Sequence, residues 1–299
     1  MMKLGMMTSA YSRKTPYDVC TSYVGQVRLC KKAGYDVLDC NMCKMIENET
    51  ELNRDDWEKR TEDIREEAEK LGLTFYQSHP PFSHVIGGGP YPDQEMDDFC
   101  MEMTKRSILI SSMLGVKWAV LHPMTVKGEM ALDRKANIEA NHARFDDVVE
   151  LALRHGVGIA FENMRDREEM RRFSVDPAEL VEFVDSYGTD QVGICWDTGH
   201  ANQRLVDQRR ALRLIGKRLH VVHVNDNHGG RDEHLLPFMG TVDWRQVMAA
   251  LHEIGFEGPL VYELSVTDYM PLDMKVEMMR FARTIGKTLL DLADHTVAE

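Results

Sequence analysis

Short apolar runs alternate with longer amphipathic stretches eight times along this chain. The runs are KLGMMT (3–8), YDVLDC (35–40), LTFYQS (73–78), WAVLH (118–122), VGIAFE (157–162), VGICWD (192–197), LHVVHV (219–224) and PLVYEL (259–264). Their length and their Val, Ile, Leu, Phe and Tyr content suit buried strands. Between them, apolar positions recur at helical spacing: Trp57, Thr61, Ile64, Ala68 and Leu71 in one segment, Val247, Leu251 and Ile254 in another. Five of these segments end in a glycine just before the next run, at Gly34, Gly72, Gly115, Gly156 and Gly255. Glycine accepts the left-handed backbone that closes a helix and starts a short connection. Eight βα units predict a single (β/α)8 barrel over residues 1–299. An open, doubly wound sheet predicts a glycine-rich phosphate loop after the first strand, and Thr8-Ser9-Ala10-Tyr11 is not one.

Two connections are longer than turns: Pro80–Asp93, with three consecutive glycines and four prolines, and Asn225–Asp243. Both follow strands at the barrel face that carries active sites, and both read as lids. Composition narrows the function. With Lys and Arg numbering 36 against 49 Asp and Glu, the formal charge is −13, which repels phosphate backbones and argues against nucleic acid as a partner. No apolar run is long enough to span a bilayer and the first residues lack a signal-peptide core, so the expected place is the cytoplasm. Six scattered cysteines fit reduced thiols, and the lone C-x-x-C from Cys40 to Cys43 reads as structural.

The strand ends carry the chemistry. Runs three to eight end in or lead directly into His79, His122, Glu162, Asp197, His223 and Glu263. In VGIAFE, Gly158 and Ala160 share the face of Glu162, and in VGICWD, Gly193 and Cys195 share that of Asp197, so the carboxylates project into the barrel. Several carboxylates in one dry opening cannot all stay ionised unless a cation joins them. Glu162, Asp197, His223 and Glu263 therefore predict a divalent-metal site. His200, one helical turn beyond Asp197, and the Asp232/His234 pair in the second long loop are further candidate ligands. His220 has the parity opposite to His223 and is expected under a helix. His84, His142, His155, His252 and His295 are expected at the surface.

The motifs SHPPF, VLHP, FENM, CWDTGH, HVND and VYEL, with DEHLLPFMGTVDW in the seventh loop, resemble the xylose-isomerase-like barrel superfamily. Sugar and sugar-phosphate isomerases and epimerases of the tagatose 3-epimerase type share this order over nearly the whole chain, and endonuclease IV shares the metal motifs. The resemblance implies one metal on Glu162, Asp197, His223 and Glu263, with the two glutamates as the acid/base pair. It also matches the nine ligands of the endonuclease three-zinc cluster to these four together with His79, His122, His200, Asp232 and His234. The expected activity is isomerisation or epimerisation of a sugar or polyol by removal of a proton alpha to a carbonyl. Alternatives are a lyase on a keto-sugar or keto-glycoside, as in inosose dehydratases and C-glycoside-cleaving enzymes, and an endonuclease IV-like enzyme. Asn163 and Arg165 are candidate contacts to hydroxyls, a carboxylate or a phosphate, and Phe82 a candidate wall. Three carboxylates and one imidazole favour Mn2+, with Mg2+ the same in kind, whereas recruitment of His79, His122 or His200 favours Zn2+. Whether the protein works as a homo-oligomer or with a partner subunit is left open by the sequence.

Overall fold

The structure, a computed structural model, describes residues 2–11, 22–47, 50–167, 170–267 and 269–295. Eight parallel strands close into a barrel in sequence order: β1 (Leu4–Met7), β2 (Val37–Asn41), β3 (Thr74–His79), β4 (Trp118–Leu121), β5 (Gly158–Glu162), β6 (Val192–Asp197), β7 (Leu219–Val224) and β8 (Leu260–Tyr262). Among the described residues the surrounding helices are α1 (Tyr23–Lys32), α2 (Trp57–Lys70), α3 (Gln94–Met113), α4 (Arg134–Arg154), α5 (Pro177–Asp185), α6 (Thr198–Gln203), α7 (Gln208–Ile215), α8 (Trp244–Glu253) and α9 (Leu272–His295). No described helix is long and apolar enough to cross a membrane.

Sequence punctuation accounts for the helix boundaries. Aspartates at 93, 133, 176, 197, 207 and 243 cap α3 to α8, each side chain accepting a backbone N–H from the first turn. The five glycines expected to end helices all have positive φ, from 66° at Gly72 to 93° at Gly34. Helices pack outside through Ile64, Ala68, Val247 and Leu251, and Trp196 lies in this outer layer with its indole N–H donated to Gln208.

Inside the barrel the side chains form layers. Val120, Ala160, Cys195 and Val221 make a small apolar cluster, with Trp118 packed against it. His220 departs from its expected place. Ile194 pairs with Leu219 but Cys195 pairs with Val221, so His220 is the extra residue of a bulge. The bulge reverses its parity, and its ring turns inward to stack on Trp118 at 3.8 Å and 8°. Gly158 and Gly193 make the room: a Cβ would fall 2.4 Å from the Trp118 ring and 2.3 Å from the His220 ring, respectively.

Candidate active site

The layer above that cluster is polar. Two residues beyond Ala160, Cys195 and Val221 stand Glu162, Asp197 and His223, and Glu263 follows β8; each offers a ligand atom, and the four atoms lie within 4.8 Å of one another. His223 Nδ1 is 3.2 Å from Glu162 Oε1 and 3.0 Å from Glu263 Oε2. Three of the four are almost wholly buried, with Glu263 alone half-open.

The electrostatics of this group call for a cation. Burial pushes the Asp197 carboxyl up to about 6, with Glu162 and Glu263 adding to the rise against His200. Glu162 and Glu263 are raised by burial too, but the imidazoles, His223 foremost, outweigh it and hold both low, Glu263 at about 2. Among the described residues His223 Nε2 is buried without a hydrogen-bond partner. An orphaned ring nitrogen beside converging carboxylates fits a divalent ion.

A second group shares Glu162. His79 Nε2 and His122 Nε2 are 3.1 Å apart and lie 3.6 and 2.8 Å from Glu162 Oε2, spacings close to those of ligands around one ion. Burial lowers His122 to about 4, so it is neutral and able to ligate. A third cluster joins Asp232 Oδ2 to His200 Nε2 at 3.6 Å and His234 Nε2 at 3.3 Å. Burial opposes protonation of both imidazoles, yet surrounding carboxylates, Asp232 among them, push each up to about 10. All five additional candidates, His79, His122, His200, Asp232 and His234, thus gather at one mouth.

The other expectations divide. Phe82 stacks on His122 at 4.2 Å and walls a cavity of ≈ 150 Å³ that reaches His122, His200 and Asp232. Arg165 lines the same cavity and pairs with Asp232 at 2.9 Å. Asn163 is tied to the neighbouring strand: its amide accepts from Asp197 N at 2.6 Å and donates to Asp197 O at 3.0 Å, so it clamps β6. The loop Pro80–Asp93 forms part of the cavity wall and is tied down by Thr125 N donating to Gly87 O. His84, His155 and His252 are exposed, His142 is half-buried against Asp146 and Ser186, and the side chain of His295 lies outside the described residues.

Several contributors escaped the sequence reading. Asp39, wholly buried on β2, accepts from Gln77 Nε2 at 2.7 Å and stands 3.8 Å from His223 Nε2. Its charge between Leu38 and Cys40, the second aspartate of YDVLDC, was the available signal. Cys43 Sγ is 3.2 Å from His79 Nδ1, so the second cysteine of the C-x-x-C borders the site while Cys40 is core. Asn225 Nδ2 donates to Asp197 Oδ2 at 2.7 Å. Arg172, in the arginine-rich stretch after Glu162, also lines the cavity.

The family described as xylose isomerase-like TIM barrel matches residues 27–285. The chain belongs to that family. Among its relatives, a D-psicose 3-epimerase of Ruminiclostridium cellulolyticum is 23% identical over 88% of this chain and 83% of its own. An inosose isomerase of Bacillus velezensis is 24% identical over 53% of this chain and 57% of its own. The crystal structure of a D-tagatose 3-epimerase-like protein superposes with a TM-score of 0.76 at 21% identity, covering 99% of this chain and 100% of that one. The relatives are thus sugar epimerases and inosose isomerases sharing this fold.

Proposed function

We propose that the protein is a divalent-metal-dependent isomerase or epimerase of a sugar or sugar-like polyol. The observation that carries the reading is the convergence of Glu162, Asp197, His223 and Glu263 within 4.8 Å at the strand ends. A cation held by these four residues would polarise the substrate carbonyl and balance the charge that develops on its oxygen. Three carboxylates and one imidazole suit Mn2+ or Mg2+ better than a softer ion. Glu162 and Glu263 supply the acid and base: one takes the proton alpha to the carbonyl, the other returns it. Asp197 is fixed by His200 N at 2.6 Å and Asn225, leaving it a positioning and charge-balancing role. Phe82 and the loop Pro80–Asp93 narrow access by water.

The test is exchange. With the metal-loaded protein in deuterated water, a ketose substrate gains deuterium at the carbon alpha to the carbonyl. Glu162→Gln or Glu263→Gln slows this by about 100-fold or more at equal metal occupancy. A double Gln variant that holds metal and exchanges at the wild-type rate removes these residues from the mechanism. An unsaturated product in place of a stereoisomer turns the assignment to a lyase that begins with the same proton abstraction.

A second reading, cleavage of DNA at abasic sites, is favoured by one observation: the His79/His122 and His200/Asp232/His234 groups stand beside the main one. The charge of −13 and the acidic stretch DQEMDD before and into α3 weigh against a DNA partner. Nicking of an abasic duplex by the metal-loaded chain, lost in Glu162→Gln, would establish it.

A further inference from the structure

We propose that the substrate carries an anionic group, a phosphate or a carboxylate, at its end remote from the reacting carbonyl, and that Arg172 and Arg167 hold it. The proposal deepens the sugar reading above and rests on it for the remainder of the substrate.

The cavity beside His122 is lined by four arginines, Arg144, Arg165, Arg167 and Arg172, against one carboxylate, Asp232. Two of the four are balanced. Arg144 forks onto Asp97 at 3.0 and 3.2 Å, and Arg165 pairs with Asp232. Nearby Arg171 and Arg204 also have carboxylates, Glu179 at 2.8 Å and Asp166 at 2.9 Å. Among the described residues Arg167 and Arg172 have none. This is not scarcity, because acidic residues outnumber basic ones by thirteen.

Arg172 is the more informative of the two. It is 8% exposed, Nη2 donates to Pro123 O at 3.0 Å, and among the described residues its buried Nε has no hydrogen-bond partner. A buried guanidinium with unused donors is costly unless an anion completes it. The surroundings hold it in place. Its backbone N–H donates to Asp166 Oδ1 at 3.0 Å, and Gly88 (φ +73°) lies so close that a Cβ there would sit 2.9 Å from Nη2. Burial, followed by repulsion from Arg165 and Arg167, lowers its affinity for its own proton to a pKa of about 10.

The same cavity reaches His122, whose Nε2 is 2.8 Å from Glu162 Oε2. A ligand gripped at Arg172 therefore extends toward the carboxylate that moves the proton. Glu162 also offsets part of the charge on Arg172. A divalent ion on Glu162 removes that offset, so the loaded site needs an external counter-charge more than the empty one does. A planar fork of N–H donors suits the oxygens of either anion.

Three ketoses of one carbon skeleton separate the sources: fructose, fructose 6-phosphate and fructuronate, titrated calorimetrically into the Mn2+-loaded protein. At least one anion binds about ten-fold or more tighter than fructose, and the preference weakens as NaCl rises from about 50 to about 300 mM. Preference for the phosphate alone, the carboxylate alone or both names the source. In Arg172→Gln the preference falls toward unity, and in Arg167→Gln, an exposed position that does not threaten folding, it falls several-fold. Equal binding of all three sugars, or an anion preference that survives both substitutions, overturns the proposal. Inorganic phosphate is the fourth probe. If no sugar binds or exchanges deuterium but phosphate binds in a manner weakened by both substitutions, the arginine site stands and the sugar reading fails. If fructose exchanges deuterium and no anion is preferred, the sugar reading stands and the anion site fails.

Discussion

Asp226, the acid of the HVND motif, stands outside the proposed ligand set and does not line the cavity beside His122, yet its replacement by Asn should be among the most damaging isosteric changes in the chain. The side chain is wholly buried just beyond β7. Oδ1 accepts the backbone N–H of Asn227 at 2.9 Å and of Val242 at 3.0 Å, while Oδ2 accepts that of Phe238 at 3.0 Å and the Trp244 indole at 2.9 Å. All four contacts are donors aimed at a carboxylate. An amide keeps one oxygen and turns an NH2 toward two N–H groups, whichever way it flips, so two charge-assisted bonds are lost. At about 1.5–3 kcal/mol each, the cost is roughly 3–6 kcal/mol if the loop stays in place. The loop is able to yield first. It carries Asp232 and His234, and His234 adopts φ +48°, held by contacts of its ring to Glu263 O at 3.0 Å and of its carbonyl to Ser265 N at 3.1 Å. Urea unfolding at neutral pH and hydrogen exchange of amides 226–243 read the two routes. The expected result is a stability loss of several kcal/mol, or loss of protection confined to that loop, with metal affinity about 10–100-fold lower because Glu263 loses its support. A variant within about 0.5 kcal/mol of wild type, with loop amides as protected as before, would refute the reasoning.

Three further outcomes are expected. Chelation should lower the melting temperature by roughly 5 °C, the effect of removing an ion present at about 100 times its dissociation constant, whereas a melt indifferent to chelator would speak against the metal site. Burial tends to raise the Asp97 carboxyl, but the Arg144 fork and the Tyr91 N–H hold it below its usual value, so its stabilisation is present above pH ~4 and lost as pH falls through the folded pKa. Asp97→Asn should therefore cost about 1–3 kcal/mol at pH 7 in urea melts, the gap to wild type closing as the carboxyl is protonated in acid; a gap constant with pH removes the ion pair as its cause. Gly193→Ala places a methyl 2.3 Å from the His220 ring and 2.6 Å from Arg218 O, and thermal melts should show a loss at or above the top of the ~1–3 kcal/mol range for overpacking. The paired change Gly193→Ala with His220→Ala should recover part of it, and no recovery would mean that the backbone contact dominates.

The barrel was legible because eight apolar runs recur with glycine stops between them, and alternation within a run decides which side chains face inward. That rule placed Glu162, Asp197 and Trp196 correctly. It failed at His220, since a bulge adds one residue to β7 and nothing in LHVVHV marks it. It also passed over Asp39, because a charge in mid-strand reads as the polar phase of an edge until closure of the barrel buries both faces. Asn163 finds its partner outside its own run. Its neighbour is a metal-capable glutamate, but the amide spans to the next strand, a contact that depends on the register of β5 against β6. Arg172 shows the same limit: charge runs read as solvated surface, and only the path of the loop after β5 folds one arginine of the run inward.

The layer beneath the carboxylates bears on their chemistry as much as their direct neighbours do. Val120, Ala160, Cys195 and Val221 stand two residues before His122, Glu162, Asp197 and His223, and all four are wholly buried. They seal the barrel against water from below. Burial pushes the Cys195 thiol up to about 12, so near Glu162 and His223 it stays protonated unless an ion joins it, and its side chain forms part of the floor. Over such a floor a carboxylate has little water to spread its charge into, which is why Asp197 rises while Glu162 and Glu263 depend on imidazoles. The same dryness would strengthen the pull of a cation held by the three. Small apolar residues at these positions therefore satisfy two demands with one choice. They fit the narrow interior of an eight-stranded barrel, and they keep the dry medium that the proposed proton abstraction from carbon would need.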